Sequence, residues 1–299
     1  MTIAETLESR FLTRGGPPAP DRDCAAVPPV VPSRYAQWRH AADRLLAAVL
    51  LVLAAPLIGL LVLLVRLTSR GPGIFAQTRV GQGGRIFTMY KLRSMRIDAE
   101  SRSGPTWSGG VGDPRVTPLG YWLRRLHLDE LPQLWNVVQG DMALIGPRPE
   151  RPEFVQFLAD HIPGYLDRLA VPPGITGLAQ INLPPDTDLA SVQRKLILDC
   201  EYIRTASLWL DLRILLCTAL RVVWIKGPRV TRLLGLERTA ILPPAPENAS
   251  APPAVSLAAL AQRSRTAPQR REAETADGNG SAHEDEVVPA RTSRPPRPR

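Results

Sequence analysis

The chain has 299 residues, 44% of them hydrophobic and 5% aromatic, with 37 Lys and Arg against 28 Asp and Glu. Cys24, Cys200 and Cys217 are odd in number and widely spaced, and His40, His127, His161 and His283 are scattered; this argues against a disulfide framework or a zinc site and for a reducing compartment. Scarce aromatics argue against a single-strand nucleic-acid surface, which needs stacking platforms, so the basic excess is expected to meet anionic lipid or phosphorylated substrates.

Residues 1–34 and 243–299 hold 16 of the 31 prolines. Such segments bury too little apolar surface to offset their chain entropy, and both are expected to be disordered. Residues 35–242 keep 25 Lys and Arg against 17 Asp and Glu, so the basic excess belongs to the folded part. One folded domain plus a membrane element is expected, with an anchor over 35–70 and a catalytic domain over 71–242.

Residues 45–65 carry no charge. As a helix they would be about 31 Å long, enough to cross a hydrocarbon core. Pro56 lies near the centre, Arg34, Arg39 and Arg44 precede the segment, and Arg66 and Arg70 follow it. Two readings stay open on the pattern: a span kinked at Pro56, or a re-entrant hairpin that bends there and returns, leaving both positive flanks on one side.

Residues 73–80 and 85–95 read as two strands joined by a Gly-rich turn at 81–84, with Lys91 and Arg93 on one face. Residues 101–112 read as a mobile loop. A helix is expected over 129–140, with Asp129 as N-cap, Pro132 in its first turn and Gly140 as its stop. Leu131, Leu134, Trp135 and Val138 would form its buried face. Gly146-Pro147-Arg148-Pro149 is a stiff extended segment. Residues 170–185 read as a loop, 191–204 as a helix, and 207–226 as a helix starting at Ser207. This last helix would either lie in a membrane interface or pack on the core with its arginines snorkelling.

Asp129-Glu130 is the pair best suited to chemistry. An ionised carboxylate can act as a nucleophile toward phosphorus, and its neighbour can help hold magnesium, which takes one or two carboxylates plus substrate phosphates. Lys91, Arg93, Arg115, Arg124, Arg125, Arg148 and Arg151 surround it in sequence, and arginine suits bidentate recognition of phosphate. Together with an anchor, these residues suggest phosphoryl transfer to or from a lipid. No Walker-type phosphate loop, Rossmann glycine fingerprint or Gly-x-Ser-x-Gly elbow occurs.

The run Leu128-Asp129-Glu130-Leu131-Pro132-Gln133-Leu134-Trp135-Asn136-Val137 resembles the bacterial sugar transferase family, the monotopic phosphoglycosyl transferases. Lys91-Leu92-Arg93-Ser94-Met95, Asp113-Pro114-Arg115, Gly140-Asp141-Met142, Gly146-Pro147-Arg148-Pro149-Glu150 and Pro173-Gly174-Ile175-Thr176-Gly177 continue the resemblance in order. It implies an α+β, mostly helical fold: a re-entrant helix hairpin bent at Pro56, a compact catalytic domain and interfacial amphipathic helices. It also implies transfer of a sugar-1-phosphate from a UDP-sugar to a polyprenol phosphate such as undecaprenyl phosphate. Asp129 would form the covalent phosphosugar intermediate, Glu130 would help bind Mg2+, and Lys91, Arg93, Arg115, Arg124 and Arg148 would contact phosphate or substrate. The expected location is the bacterial inner membrane, facing the cytoplasm, and the expected role is to start exopolysaccharide, capsule or O-antigen assembly.

Residues 183–191 replace the family's Gly-Arg stretch, so contacts there are expected to differ. Ala55 stands where some members carry serine, no large domain is expected ahead of the anchor, and the tail is expected to be a solvated appendage. A glycosyltransferase releasing UDP and a non-catalytic scaffold for anionic lipid are the alternatives.

Overall fold

A computed structural model describes residues 31–99, 113–222 and 227–243. The expectations for residues 1–30 and 244–299 and for the 101–112 loop lie outside these residues, but Ser33, expected to be disordered, donates its hydroxyl to the Ala206 carbonyl at 2.9 Å and Arg34 begins the first helix. The elements in order are α1 (Arg34–Trp38), α2 (His40–Thr68), β1 (Ile74–Val80), β2 (Ile86–Leu92), α3 (Pro118–Arg125), α4 (Gln133–Gln139), β3 (Ala143–Ile145), α5 (Pro152–His161), β4 (Gly174–Thr176), α6 (Leu178–Asn182), α7 (Leu189–Thr205), α8 (Leu208–Val222) and α9 (Gly227–Leu233). Short 3-10 turns cover Leu128–Glu130 and Tyr165–Ala170. The architecture is mixed, helix predominating, with two small two-stranded sheets.

Helix α2 is long and apolar enough to cross a membrane. It runs through Pro56 as one helix rather than as two separate arms. Ala47, Leu51, Ala54, Ile58, Leu61 and Val65 pack on the catalytic core. Their spacing of four and three residues draws one continuous stripe along the helix. Leu45, Val49, Val52, Leu53, Leu57, Leu60, Leu63 and Leu67 cover the remaining circumference and are exposed. Arg44 donates to the Val138 carbonyl at 2.9 Å, placing a cation at the C-terminal end of α4.

Strands β1 and β2 pair antiparallel, with Phe75 opposite Lys91 and Val80 opposite Ile86. β2 stops at Leu92, short of the expected 95, and Arg93 donates its backbone N–H to the Gly73 carbonyl. β3 and β4 pair parallel, Ala143 with Gly174 and Ile145 with Thr176. A Cβ at Gly174 would sit 2.0 Å from the Gly146 nitrogen, so the close approach of these strands requires glycine. The expected 170–185 loop thus contains both β4 and α6.

The helix expected over 129–140 begins only at Gln133. Pro132 has no N–H to donate to the Leu128 carbonyl, and the chain instead makes i→i−3 bonds from Leu131 to Leu128 and from Leu134 to Leu131. Asp129 is therefore not an N-cap; Pro132 holds that place. Gly140 ends α4 in the left-handed region at φ 88°, as expected. The buried face is Gln133, Leu134, Asn136 and Val137, with Trp135 exposed. Asn136 turns that face inward: its side chain donates to the Thr88 carbonyl at 2.7 Å and accepts from the Tyr90 N–H at 3.1 Å, docking α4 on β2.

Candidate active site

Asp129 and Glu130 lie on the 3-10 turn between α3 and α4. His127 enters this turn with φ 53°, a left-handed conformation uncommon outside glycine. The turn brings Glu130 against Lys91 of β2 and Arg148 of the Pro147–Pro149 segment, with Asp129 within reach of their charge.

Glu130 is tightly paired. Its Oε1 accepts from Lys91 Nζ at 3.0 Å and from Arg148 Nη2 at 2.7 Å. Burial alone would raise its pKa, but Arg148 and Lys91 outweigh burial and hold the carboxyl well below the usual carboxylate range. Lys91 shows the converse: burial lowers its pKa more than Glu130 raises it.

Asp129 is held differently. It is only 7% exposed, yet no hydrogen bond or ion pair engages its carboxylate among the described residues. Burial raises its pKa from 3.8, Glu130 adds to the rise, and Lys91, Arg124 and Arg148 oppose it. The N-cap place expected for Asp129 is lost because α4 starts later. What remains is a largely buried residue whose carboxylate, among the described residues, makes no direct bond and lies in the field of Lys91, Arg124 and Arg148.

The sequence-derived cations divide. Lys91 and Arg148 meet on Glu130, and Arg124 acts on Asp129 by charge while its Nε donates to Ser94 Oγ at 2.8 Å. Arg93 is directed away from the dyad: its Nη2 donates to Ser69 Oγ at 2.7 Å and to the Ser69 carbonyl at 2.9 Å, tying β2 to the end of α2. It follows the last strand residue with its N–H still bonded to the Gly73 carbonyl, and its side chain bonds Ser69 where that of Lys91 bonds Glu130. Arg115 makes a two-pronged pair with Asp113, Nε to Oδ1 at 2.9 Å and Nη2 to Oδ2 at 2.6 Å, which stiffens the Asp-Pro-Arg segment.

Four residues around Arg148 take roles that sequence reasoning did not assign: Arg79 and Arg168, which it did not name, and Arg39 and Glu150, which it named only as a flank and a motif member. Arg168 donates to the Arg148 carbonyl at 2.8 Å and Arg79 to the Pro149 carbonyl at 3.0 Å. Arg39 donates to the Ile145 carbonyl. Glu150 accepts from Lys195 at 3.3 Å and from Arg79 at 3.4 Å. Glu150 stands in the Gly146–Glu150 motif, but no local motif marks the three arginines, whose targets here are backbone carbonyls distant in sequence.

Among the described residues no group of three or more His, Cys, Asp or Glu converges on a metal position. Two adjacent carboxylates fit magnesium, which keeps water and takes substrate phosphates as ligands. Asp129 is the less committed of the pair, because Glu130 already carries two cations on Oε1.

Three relatives are similar to this chain in sequence. An undecaprenyl-phosphate glucose phosphotransferase of Komagataeibacter xylinus is 45% identical over 192 residues, covering 61% of this chain and 35% of that protein. A UDP-glucose:undecaprenyl-phosphate glucose-1-phosphate transferase of Caulobacter vibrioides is 44% identical over 179 residues, covering 59% and 66%. A UDP-N-acetylgalactosamine-undecaprenyl-phosphate N-acetylgalactosaminephosphotransferase of Aeromonas hydrophila is 40% identical over 195 residues, covering 65% and 46%. The chain thus spans about a third to two thirds of the length of these relatives. The bacterial sugar transferase family model matches residues 34–225, the anchor and the site together, and the chain belongs to the bacterial sugar transferase family.

Proposed function

We propose that the protein transfers a sugar-1-phosphate from a UDP-sugar to undecaprenyl phosphate, as a membrane-bound phosphoglycosyl transferase that starts a surface glycan. The observation that carries this reading is the contrast within the dyad: a paired Glu130 beside a buried, uncommitted Asp129. An Asp129 carboxylate oxygen attacks the phosphorus that bears the sugar. The P–O bond to the nucleotide breaks, UMP leaves, and an aspartyl-phosphosugar remains. A phosphate oxygen of the lipid then attacks the same phosphorus and releases Asp129, giving polyprenol diphosphate-sugar. Splitting the transfer means that donor and acceptor need not be bound together. Lys91, Arg124 and Arg148 supply positive charge where charge develops. Asp129 and the free side of Glu130 would hold Mg2+, which when bound neutralises the donor diphosphate.

The membrane reading rests on α2 and on aromatic placement. Its packed stripe keeps α2 against a polar domain along its length, which favours insertion from one side over a free-standing span. Trp38, Trp122, Trp135 and Trp209 are all 47–68% exposed, where an apolar ring with a polar edge suits a membrane interface. On α8, Leu208, Trp209, Leu212 and Leu216 are exposed, which supports the interfacial helix expected there.

The test is nucleotide release from a panel of UDP-sugars with magnesium, with and without undecaprenyl phosphate. UMP from one donor, lost by at least about 10³-fold in Asp129→Asn, is the expected result. Release of UDP would assign a glycosyltransferase, and full activity in the variant would remove Asp129 as nucleophile.

A further inference from the structure

Residues 145–150 form a strip of backbone whose carbonyls are held almost one by one. Arg39 takes the carbonyl of Ile145, Gly174 N–H takes Pro147 at 2.9 Å, Arg168 takes Arg148 at 2.8 Å, Arg79 takes Pro149 at 3.0 Å and Val80 N–H takes Glu150 at 2.9 Å. Three of the five donors are guanidinium groups, from the start of the anchor, from β1 and from the Tyr165–Ala170 turn. Pro147 and Pro149 have no N–H, so the strip cannot complete an ordinary sheet ladder, and side chains join two backbone N–H groups in holding it.

Arg168 is the member that acts on Arg148 itself. It is 3% exposed, its Nε and Nη2 meet Asp199 Oδ2 at 3.0 and 2.8 Å, and its Nη1 donates to Tyr165 Oη at 3.0 Å. The remaining Nη2 direction reaches the Arg148 carbonyl. A buried ion pair is on average no more stabilising than apolar side chains of the same volume. Here the pair supplies something apolar residues cannot, a fixed donor for one carbonyl. The Arg148 side chain is 38% exposed, so its own packing does little to hold it.

We propose that Arg168, oriented by Asp199 and Tyr165, is a positioning residue that sets where the Arg148 guanidinium meets Glu130 and the donor phosphates. The assignment rests on the transferase reading above. Asp199, on α7, thereby contributes to a site whose carboxylates lie on the turn before α4. The rival account is a plain structural strut between the 3-10 turn and α7.

The two accounts separate in a double-mutant cycle on full-length protein in membranes. Arg168→Met with Asp199→Leu replaces the pair by apolar volume, which usually preserves stability. kcat and KM for the donor and the melting temperature are measured in wild-type and Arg148→Ala backgrounds. Misplacement by about 1 Å costs up to roughly 10²-fold. The pair replacement is therefore expected to lower kcat/KM by about 10- to 100-fold in the wild-type background, and by less than about twofold once Arg148 is gone, because coupled residues are non-additive. If the apolar pair fails to fold, Arg168→Lys keeps the charge while losing the planar fork, and the same non-additivity is expected. Equal losses in both backgrounds, or no loss in the wild type, overturn the positioning role. Wild-type protein that releases no UMP overturns the transferase reading and this role within it, whereas an active wild type with additive losses overturns the positioning role alone.

Discussion

The dyad turn and the strip that faces it are held in opposite ways. From Ile145 to Glu150 five carbonyls carry donors from other elements. On the dyad turn, Asp129 is largely buried with no hydrogen bond or ion pair to its carboxylate among the described residues, and His127 sits in a left-handed conformation. A group that must form and break a covalent bond needs free lone pairs. A cation that must meet developing charge benefits from being fixed beforehand. The same division runs between neighbours: among the described residues Glu130 is bonded directly to two cations, while Lys91, Arg124 and Arg148 act on Asp129 by charge without a direct bond.

The sharpest way to break this comparison is to neutralise each carboxylate separately. Glu130→Gln leaves Lys91 and Arg148 without their shared acceptor and is expected to destabilise by about 1–3 kcal/mol, screened where Arg148 meets water. Asp129→Asn is expected to keep or raise the melting temperature. Its folded pKa is raised, so the ionised form is disfavoured in the fold at pH values above the raised pKa, and amidation removes that cost. Thermal melts in detergent decide between them, and a larger loss in Asp129→Asn would reverse the assignment. For Glu130 the sign is opposite: its depressed pKa contributes stability present above the ordinary value of 4.5 and lost as pH falls below it.

The pH profile sharpens the same contrast. A nucleophilic Asp129 must be ionised, and burial raises its pKa above 3.8, with Lys91 opposing the rise. The acid limb of donor turnover is therefore expected above the range of an exposed aspartate. In Lys91→Met it should move to still higher pH, which kcat/KM against pH will show. A limb that stays put would remove Lys91 from the electrostatics of Asp129.

The smallest expected effect lies at the end of α4. Gly140→Ala forces a side chain into φ 88° and is expected to cost about 1 kcal/mol in a denaturation midpoint while leaving donor KM unchanged. A KM change would mean that α4 transmits strain to the turn.

Much of this site could be read before any coordinates. The Asp129-Glu130 pair, Lys91 two positions before Arg93, and Arg148 between prolines all stand in linked motifs, and Lys91 and Arg148 do converge on Glu130. Arg93 was legible as a cation but its partner was not, because Ser69 is brought to it by where α2 ends beside β2, whereas Arg115 pairs with Asp113 two positions away in its own motif. Arg168 gave no local signal, since its target is a carbonyl twenty positions away.

Sequence by itself determined the apolar run of α2, the stop at Gly140, the stiffness of Pro147–Pro149 and the identity of the two acids, because each follows from local sterics or charge. Tertiary structure decided which of those acids is spent on cations, which stripe of α2 faces the domain, and where α4 begins. These outcomes depend on burial and on donors arriving from distant elements. Proline's missing N–H broke the α4 pattern that apolar spacing alone had predicted.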